Sequence, residues 1–331
     1  MSRVMVLSDA AVRQQLPLAD CLPLIDQALR DVALGKAAQP VRTRLAPPHI
    51  GGALGLMPGY LEPCAALGVK AVTVFEGNFS RGLASHRGAL LLFDPQDGAL
   101  QGVFDAGAIT SIRTAAASAV ATRALASPDA ERLAILGYGE QALAHIDAMV
   151  LVRPIRQVRV WGRSTARALE FAKLVTDRHS IDAHPATTVA SAVADAQIIC
   201  TTTAAREPIL GGDMVPAGCH VNLVGSSFPD AREVDSHLVA RSRFFADDVP
   251  MVEALGGEWR AALADSSVGP QHLLGSIGEV LNGTLYGRLR ATDLTVFKSV
   301  GLIAEDLAAA AHLYARGTRT TADPSVTWID F

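Results

Sequence analysis

The chain has 331 residues, 50% of them hydrophobic and 19% charged, with a formal net charge of −4. This length accommodates two domains with separate cores, and the composition excludes a disordered chain. The slightly acidic balance, with a pI near 6.1, excludes nucleic acid and anionic membrane as expected partners.

No apolar run reaches transmembrane length, because the small-residue stretch 106–126 carries Arg113 and Arg123. The opening MSRVMVLSD is too short and too soon polar for a secretory signal. Cys21, Cys64, Cys200 and Cys219 are scattered, with no CxxC and no histidine at ligand spacing. That pattern predicts free thiols, a cytoplasmic protein and no metal site.

In chain order, residues 19–34 read as an amphipathic helix with Leu22, Ile25, Leu29 and Val32 on one face and Gly35 ending it. The period then changes to two. Residues 41–45, 53–57, 69–75, 89–93 and 99–104 are strand candidates between Gly/Pro-rich turns, and Asp94-Pro95-Gln96-Asp97-Gly98 signals a hairpin. The first third is therefore expected to be a helix-flanked, antiparallel sheet. Alternation puts Lys70 on the face of Val72 and Val74. Such a lysine either snorkels to a sheet edge or points its ammonium into a pocket, and the pattern leaves both open. Arg42 and Arg44 share a strand face, as ligand or as surface arginines. Asp105 is placed to cap a helix over 106–126, in which Arg113-Thr114 is either solvated or a ligand.

The stretch RLAILGYGEQA, residues 132–142, changes the character of the chain. Its apolar run fits a strand buried on both faces, and a helix follows. Gly137 permits a tight turn, Gly139 lets a pyrophosphate approach the backbone, and Ala142 lets helix and strand pack closely. With a strand before and a helix after, the GxGxxA turn predicts a dinucleotide site; an ordinary turn is the alternative. Strands at 158–161, 181–184, 197–203, 220–224, 243–246 and 295–300 alternate with helices at 165–175, 189–194 and 271–281. This predicts an α/β, Rossmann-type doubly wound parallel sheet. Residues 301–316 form a last helix, with Glu305-Asp306 in its first turns as the macrodipole prefers. The tail 317–331 docks or frays.

The second strand ends in Gly162-Arg163-Ser164-Thr165, with Arg167 one turn on. An NAD site places a carboxylate there for the ribose 2′-hydroxyl; here guanidinium and hydroxyl groups suit a 2′-phosphate instead, so NADP(H) is expected over NAD(H).

Several short motifs in order resemble the ornithine cyclodeaminase/mu-crystallin family almost end to end. They are Gln39-Pro40-Val41-Arg42-Thr43, Leu56-Met57-Pro58, Lys70, Ser85-His86 and Ile112-Arg113-Thr114-Ala115-Ala116, then Ile135-Leu136-Gly137-Tyr138-Gly139, Val224-Gly225 and residues 295–301. The resemblance implies a Rossmann domain over 121–300, set between two parts, 1–120 and 301–331, of a discontinuous α+β substrate and dimerisation domain. It further implies a homodimer with the active site in the cleft between domains.

By motif position Arg42, Lys70 and Arg113 would hold a substrate carboxylate, and Ser85, His86 and Thr114 would line the nicotinamide–substrate junction. Gly137, Gly139, Glu140, Gln141, Ala142, Arg163, Ser164, Arg167, Val224, Lys298 and Ser299 are the remaining candidate cofactor contacts. Cyclodeaminases place an Asp shortly after the Val-Gly; this chain has Ser227 there and Asp230 three residues later. That departure, like Arg163-Ser164, resembles the ketimine reductases of the family.

The expected activity is NADPH-dependent reduction of a small cyclic imino acid, 1-pyrroline-2-carboxylate or 1-piperideine-2-carboxylate. Lys70, or a water held near Ser227 or Asp230, would supply the proton. The rival readings are an ornithine cyclodeaminase, an alanine dehydrogenase, and a non-catalytic NADPH or ligand binder.

Overall fold

The structure is a computed structural model that describes residues 3–84, 86–319 and 324–330. The chain divides into two compact units, Met1–Arg113 with Leu302–Phe331, and Thr114–Gly301. The first opens with β1 (Arg3–Leu7), α1 (Asp9–Gln15), α2 (Leu18–Ala33), β2 (Ala37–Ala38) and β3 (Thr43–Leu45). It continues through β4 (Ala53–Leu61), β5 (Ala66–Val74), β6 (His86–Phe93) and β7 (Leu100–Asp105), and α3 (Ala106–Leu125) carries the chain onward.

The second unit holds β8 (Arg132–Leu136), α4 (Glu140–Val152), β9 (Gln157–Trp161), α5 (Thr165–His179), β10 (Asp182–Pro185), α6 (Val189–Val193) and β11 (Ile198–Thr201). Then come β12 (His220–Leu223), α7 (Ser236–Arg241), β13 (Arg243–Ala246), α8 (Val249–Leu255), α9 (Gly257–Ala264), β14 (Leu273–Ser276), α10 (Ile277–Leu281) and β15 (Thr295–Lys298). The helix α11 (Ile303–Arg319) and strand β16 (Thr327–Asp330) complete the first unit.

The first unit is built on an eight-stranded sheet in the order β16-β1-β7-β6-β5-β4-β2, with β3 also on β4. It is antiparallel except where β1 runs parallel to β7. The 94–98 turn forms as expected, with Gly98 at φ 78° and the Asp94 amide bonded to the Ala99 carbonyl at 2.8 Å. β4 runs through Pro58, which the 53–57 expectation stopped short of. β2 pairs with residues 60–61 and β3 with residues 54–56, so Pro58 faces no strand on that side and needs no N–H there. Three strands of this unit escaped the sequence reading, β1, the two-residue β2 and β16. The tail docks: its residues 327–330 pair antiparallel with β1.

Helix α11 packs on β4 and β5. A side chain at Gly59 would strike Ile303 at 2.5 Å and one at Gly68 would strike Leu307 at 2.8 Å. On the opposite face of the sheet Leu56 is 39% and Leu67 is 38% exposed. The Asp105 carboxylate accepts from the Ala108 amide at 2.8 Å, capping α3, a contribution of about 1 kcal/mol.

The second unit is a sheet of eight strands in the order β10-β9-β8-β11-β12-β15-β13-β14, every pair parallel. Leu133, Ala134, Ile135 and Leu136 of β8 are buried, as a strand covered on both faces must be. Each buried Leu or Ile there contributes about 1.5–3 kcal/mol. The order reverses between β8 and β11, so the ligand crevice of a doubly wound sheet falls at their carboxyl ends. One expectation is corrected. Residues 271–281 are not one helix, because edge strand β14 precedes α10. The break is made by a capping box in which Ser276 Oγ accepts from the Glu279 amide and the Glu279 carboxylate accepts from the Ser276 amide. Short apolar runs such as Leu273-Leu274 fit strand and helix periods equally.

Candidate active site

In the second unit the glycine loop leaves β8 as the sequence required. Gly137 sits at φ 128°, and a Cβ there would lie 2.6 Å from Thr202 Oγ1, just past the end of β11. At Gly139 a Cβ would meet nothing within 4 Å, and no side chain caps the start of α4. The loop therefore presents open room and the positive end of a helix dipole, which fit a dinucleotide pyrophosphate. Ala142 is buried behind them, while Glu140 is exposed at the first turn. Gln141 lends its carbonyl to His145 Nδ1 at 2.7 Å. Burial lowers the His145 pKa to about 4, so its Nδ1–H donates to that carbonyl and Nε2 accepts from Ser118 at 3.0 Å.

At the end of β9 the Tyr138 ring lies against Gly162, where a Cβ would fall 2.0 Å from the ring. The Arg167 guanidinium stacks over that ring, 4.6 Å from its centroid. Arg163 is exposed, and Ser164 caps α5 by accepting from the Arg167 amide. Tyr138 was not singled out as a site residue. The signal lay in its place between the two loop glycines, beside a glycine that only an aromatic neighbour explains.

The segment after β12 is held by a buried ionic chain. Glu233 accepts from Thr201 Oγ1, Thr203 Oγ1 and the amides of Thr203 and Gly225, all within 2.8 Å. Burial and nearby Glu258 push its pKa up, against those hydrogen bonds. Glu258 in turn accepts from the Glu233 amide at 3.0 Å and pairs with Lys298 at 2.8 Å. Lys298 is fully buried and donates to the Ser226 carbonyl. Its ammonium is thus spent inside the unit, where it shapes the loop after Val224. Ser299 is also buried. Ser227 is half-buried, whereas Asp230 is exposed beside Arg206 at 3.6 Å.

In the first unit the Lys70 ammonium points to neither an edge nor an empty pocket. It sits 2% exposed, 2.8 Å from Asp306 Oδ2 on α11 and 3.1 Å from Thr110 Oγ1 on α3. Arg113 bonds Asp306 Oδ1 through Nε at 3.0 Å and Glu305 Oε2 through Nη1 at 2.5 Å. Desolvation lowers the Lys70 pKa to about 8; Asp306 opposes that shift, and the charges of Arg113 and Arg42 add to it. Arg42 and Arg113 therefore both lie within electrostatic reach of Lys70. The sequence reading brought these cations together but passed over Glu305 and Asp306, which it took for partners of the helix dipole. Thr114 is buried next to Arg113. Ser85 lies outside the described residues, and of His86 only its place in β6 is described.

Among the described residues no group of three or more His, Cys, Asp or Glu could hold a metal ion, and no helix is long and apolar enough to cross a membrane.

A doubly wound sheet with a glycine cradle at its reversal point, in a chain whose other unit bears a buried cation cluster, defines the class: a nicotinamide-dependent oxidoreductase. The family model described as "Ornithine cyclodeaminase/mu-crystallin family" matches residues 2–320, and the chain belongs to that family. It is 37% identical over 296 residues to the ketimine reductase mu-crystallin of Mus musculus, covering 88% of this chain and 90% of that one. Among solved structures, the Δ1-pyrroline-2-carboxylate reductase of Thermococcus litoralis, in complex with NADH and L-proline, superposes with a TM-score of 0.94. It is 30% identical, with 99% of this chain and 100% of that one covered. An archaeal alanine dehydrogenase dimer with bound NAD gives 0.92 at 27% identity, with full coverage of both chains.

Proposed function

We propose that this oxidoreductase reduces the C=N bond of a small cyclic imino acid, 1-pyrroline-2-carboxylate or 1-piperideine-2-carboxylate, with NADPH. The observation that carries the reading is the pair of buried cations, Lys70 of β5 and Arg113 of α3, held on one carboxylate, with the charge of Arg42 acting on Lys70. Lys70 and Arg113 are fixed by the carboxylates of Glu305 and Asp306, and the substrate carboxylate would join them there. Guanidinium groups grip a carboxylate through parallel N–H bonds and fix its plane. The half-buried Ser227 where cyclodeaminases carry an Asp, and the reductases among the relatives, support reduction over ammonia loss.

When bound, the dinucleotide supplies the hydride that the imine carbon accepts. The chain's own residues hold the carboxylate, orient the ring and deliver a proton to the nitrogen, so that C=N becomes CH–NH. A protonated imine is the better electrophile, and Lys70 is the buried acid of the first unit's cluster. Gly137, Gly139 and the start of α4 would cradle the pyrophosphate. Arg163 and the stacked Arg167 favour a 2′-phosphate, and with it NADP(H) over NAD(H). A homodimer would cover the sheet face that bears Leu56 and Leu67, a reading supported by the dimeric archaeal relative; light scattering at twice the chain mass is the expected result. Free thiols at all four cysteines suit a cytoplasmic setting.

The test follows nicotinamide absorbance with NADPH and with NADH against both cyclic imino acids, with ammonia assayed from L-ornithine in parallel. NADPH consumption with an imino acid is expected. Ammonia release without cofactor consumption would overturn the reading in favour of cyclodeamination. Tight NADPH binding without turnover on either imino acid would indicate a binding protein.

A further inference from the structure

We propose that Asp306 is a positioning residue for this reaction: its carboxylate bridges the Lys70 ammonium and the Arg113 guanidinium and fixes where both charges sit. The inference rests on the imino-acid reading above and deepens it by assigning a role to the carboxylate that lies between two of its cations.

The geometry is that of a clamp. Lys70 comes from β5, Arg113 from α3 and Asp306 from α11, and one carboxylate oxygen serves each cation, at 2.8 Å and 3.0 Å. All three side chains are at most 5% exposed, so water does not screen the contacts. Two cations this close in a dry setting repel, and neither keeps a fixed position without an anion between them. Glu305 holds the far end of Arg113, which leaves Asp306 as the group shared by both.

Among the described residues, the groups facing the Lys70 ammonium come from several elements. Thr110 and Arg113 approach from α3, Asp306 from α11, and Arg42 from the segment before β3. Its register neighbours, Met57 on β4 and Leu90 on β6, are uncharged. The Cys21 thiol of α2, pushed up to about 12 mainly by burial, feels Glu305, Arg113 and Asp306 and stays neutral. Asp306 is thus the group that holds Lys70 as an ammonium against desolvation and two neighbouring cations. In the catalytic step the Lys70 N–H bond breaks as the bond to the imine nitrogen forms. The neutral amine left beside Asp306 regains a proton from solvent after product release.

The experiment is the pH profile of kcat for NADPH oxidation with 1-pyrroline-2-carboxylate, in the wild type, Asp306→Asn and Glu305→Gln, with NADPH affinity and Tm measured for each. Loss of the anion makes Lys70 easier to deprotonate, so the alkaline limb of Asp306→Asn moves to lower pH by about one unit or more. Glu305→Gln is expected to raise KM for the imino acid through Arg113 and to leave that limb in place. An Asp306→Asn protein that binds NADPH normally and shows an unmoved limb overturns the proposal. If Asp306→Asn fails to fold, Asp306→Glu carries the test. It keeps the anion but displaces it, so it restores the limb and lowers kcat; kcat and KM both unchanged would overturn the positioning role. A wild type that turns over no imino acid at any pH removes the functional reading itself, and this proposal with it.

Discussion

Each unit buries an ionic network, and the two differ in how they are closed. In the second unit, Glu233, Glu258 and Lys298 are consumed by their own chain. Threonine hydroxyls and backbone amides take the Glu233 oxygens, and the Lys298 ammonium holds the Ser226 carbonyl. In the first unit, Lys70 and Arg113 share Asp306, Arg113 also takes Glu305, and the charge of Arg42 reaches the same place. The first arrangement fixes the shape of a loop at the carboxyl edge of a parallel sheet. The second ties cations of two elements, β5 and α3, to neighbouring carboxylates of a third, α11, and so fixes where positive charge sits, as the proposed grip on an anionic substrate requires. Buried ion pairs contribute little net stability, because desolvation offsets their attraction, so both networks are better explained by what they position.

Substitutions can break that contrast. The largest expected effect is at Lys70. Lys70→Met is expected to lower turnover of the imino acid by about 10²–10⁴-fold, the usual share of a general acid, while NADPH still binds the second unit. Retention of near wild-type turnover would remove Lys70 from the chemistry. Glu233→Gln is expected to act on the fold instead. It turns an acceptor of four hydrogen bonds into a mixed donor and acceptor, at a cost of about 1.5–3 kcal/mol of stability by thermal or urea unfolding. It should leave the alkaline limb of the pH profile where it is; a shifted limb would mean that the two networks are not separate in function.

The smallest effects are expected at the ribose end of the cradle. Arg167→Ala should weaken NADPH binding about tenfold and leave NADH binding unchanged, since a charge-assisted contact to phosphate is lost. Tyr138→Ala, which removes only the stack beneath that guanidinium, should weaken NADPH binding a few-fold, in line with about 0.5–1 kcal/mol for an exposed cation–π contact. Equal losses for NADH and NADPH in both variants would place these residues under the adenine ring and away from the 2′-phosphate.

The second unit was the more legible of the two. Its β8 and glycine loop are local patterns that appear where the residues placed them, and the expected strand–helix alternation holds as far as β12. The strands that escaped have reasons of the same kind. β14 is a short edge strand running straight into a capped helix, and β16 forms only because β1 offers it an edge. The first unit's site was legible in its cations but not in its anions. Asp306 falls on the same helical stripe as the buried Ile303, Ala310 and Leu313, and a carboxylate on an apolar stripe needs a buried cation. That signal was present at the spacing of three and four residues. It was masked by the equally sound expectation that acidic residues favour the first turn of a helix. Lys298 shows the converse. Its place in the family motif suggests a cofactor contact, and only the fold reveals Glu258 of α9 beside it.

The claim that the first unit's cations hold a substrate carboxylate is tested most directly by taking the carboxylate away. The measurement is kcat/KM for 1-pyrroline-2-carboxylate and for 1-pyrroline, the same ring without the carboxylate, in the wild type and in Arg42→Ala. The account predicts a preference of about a hundredfold or more for the carboxylate in the wild type, from charge-assisted hydrogen bonds of about 1.5–3 kcal/mol each, and a much smaller one in the variant. Equal kcat/KM for the two rings in the wild type, or a preference that survives loss of Arg42 undiminished, would contradict it.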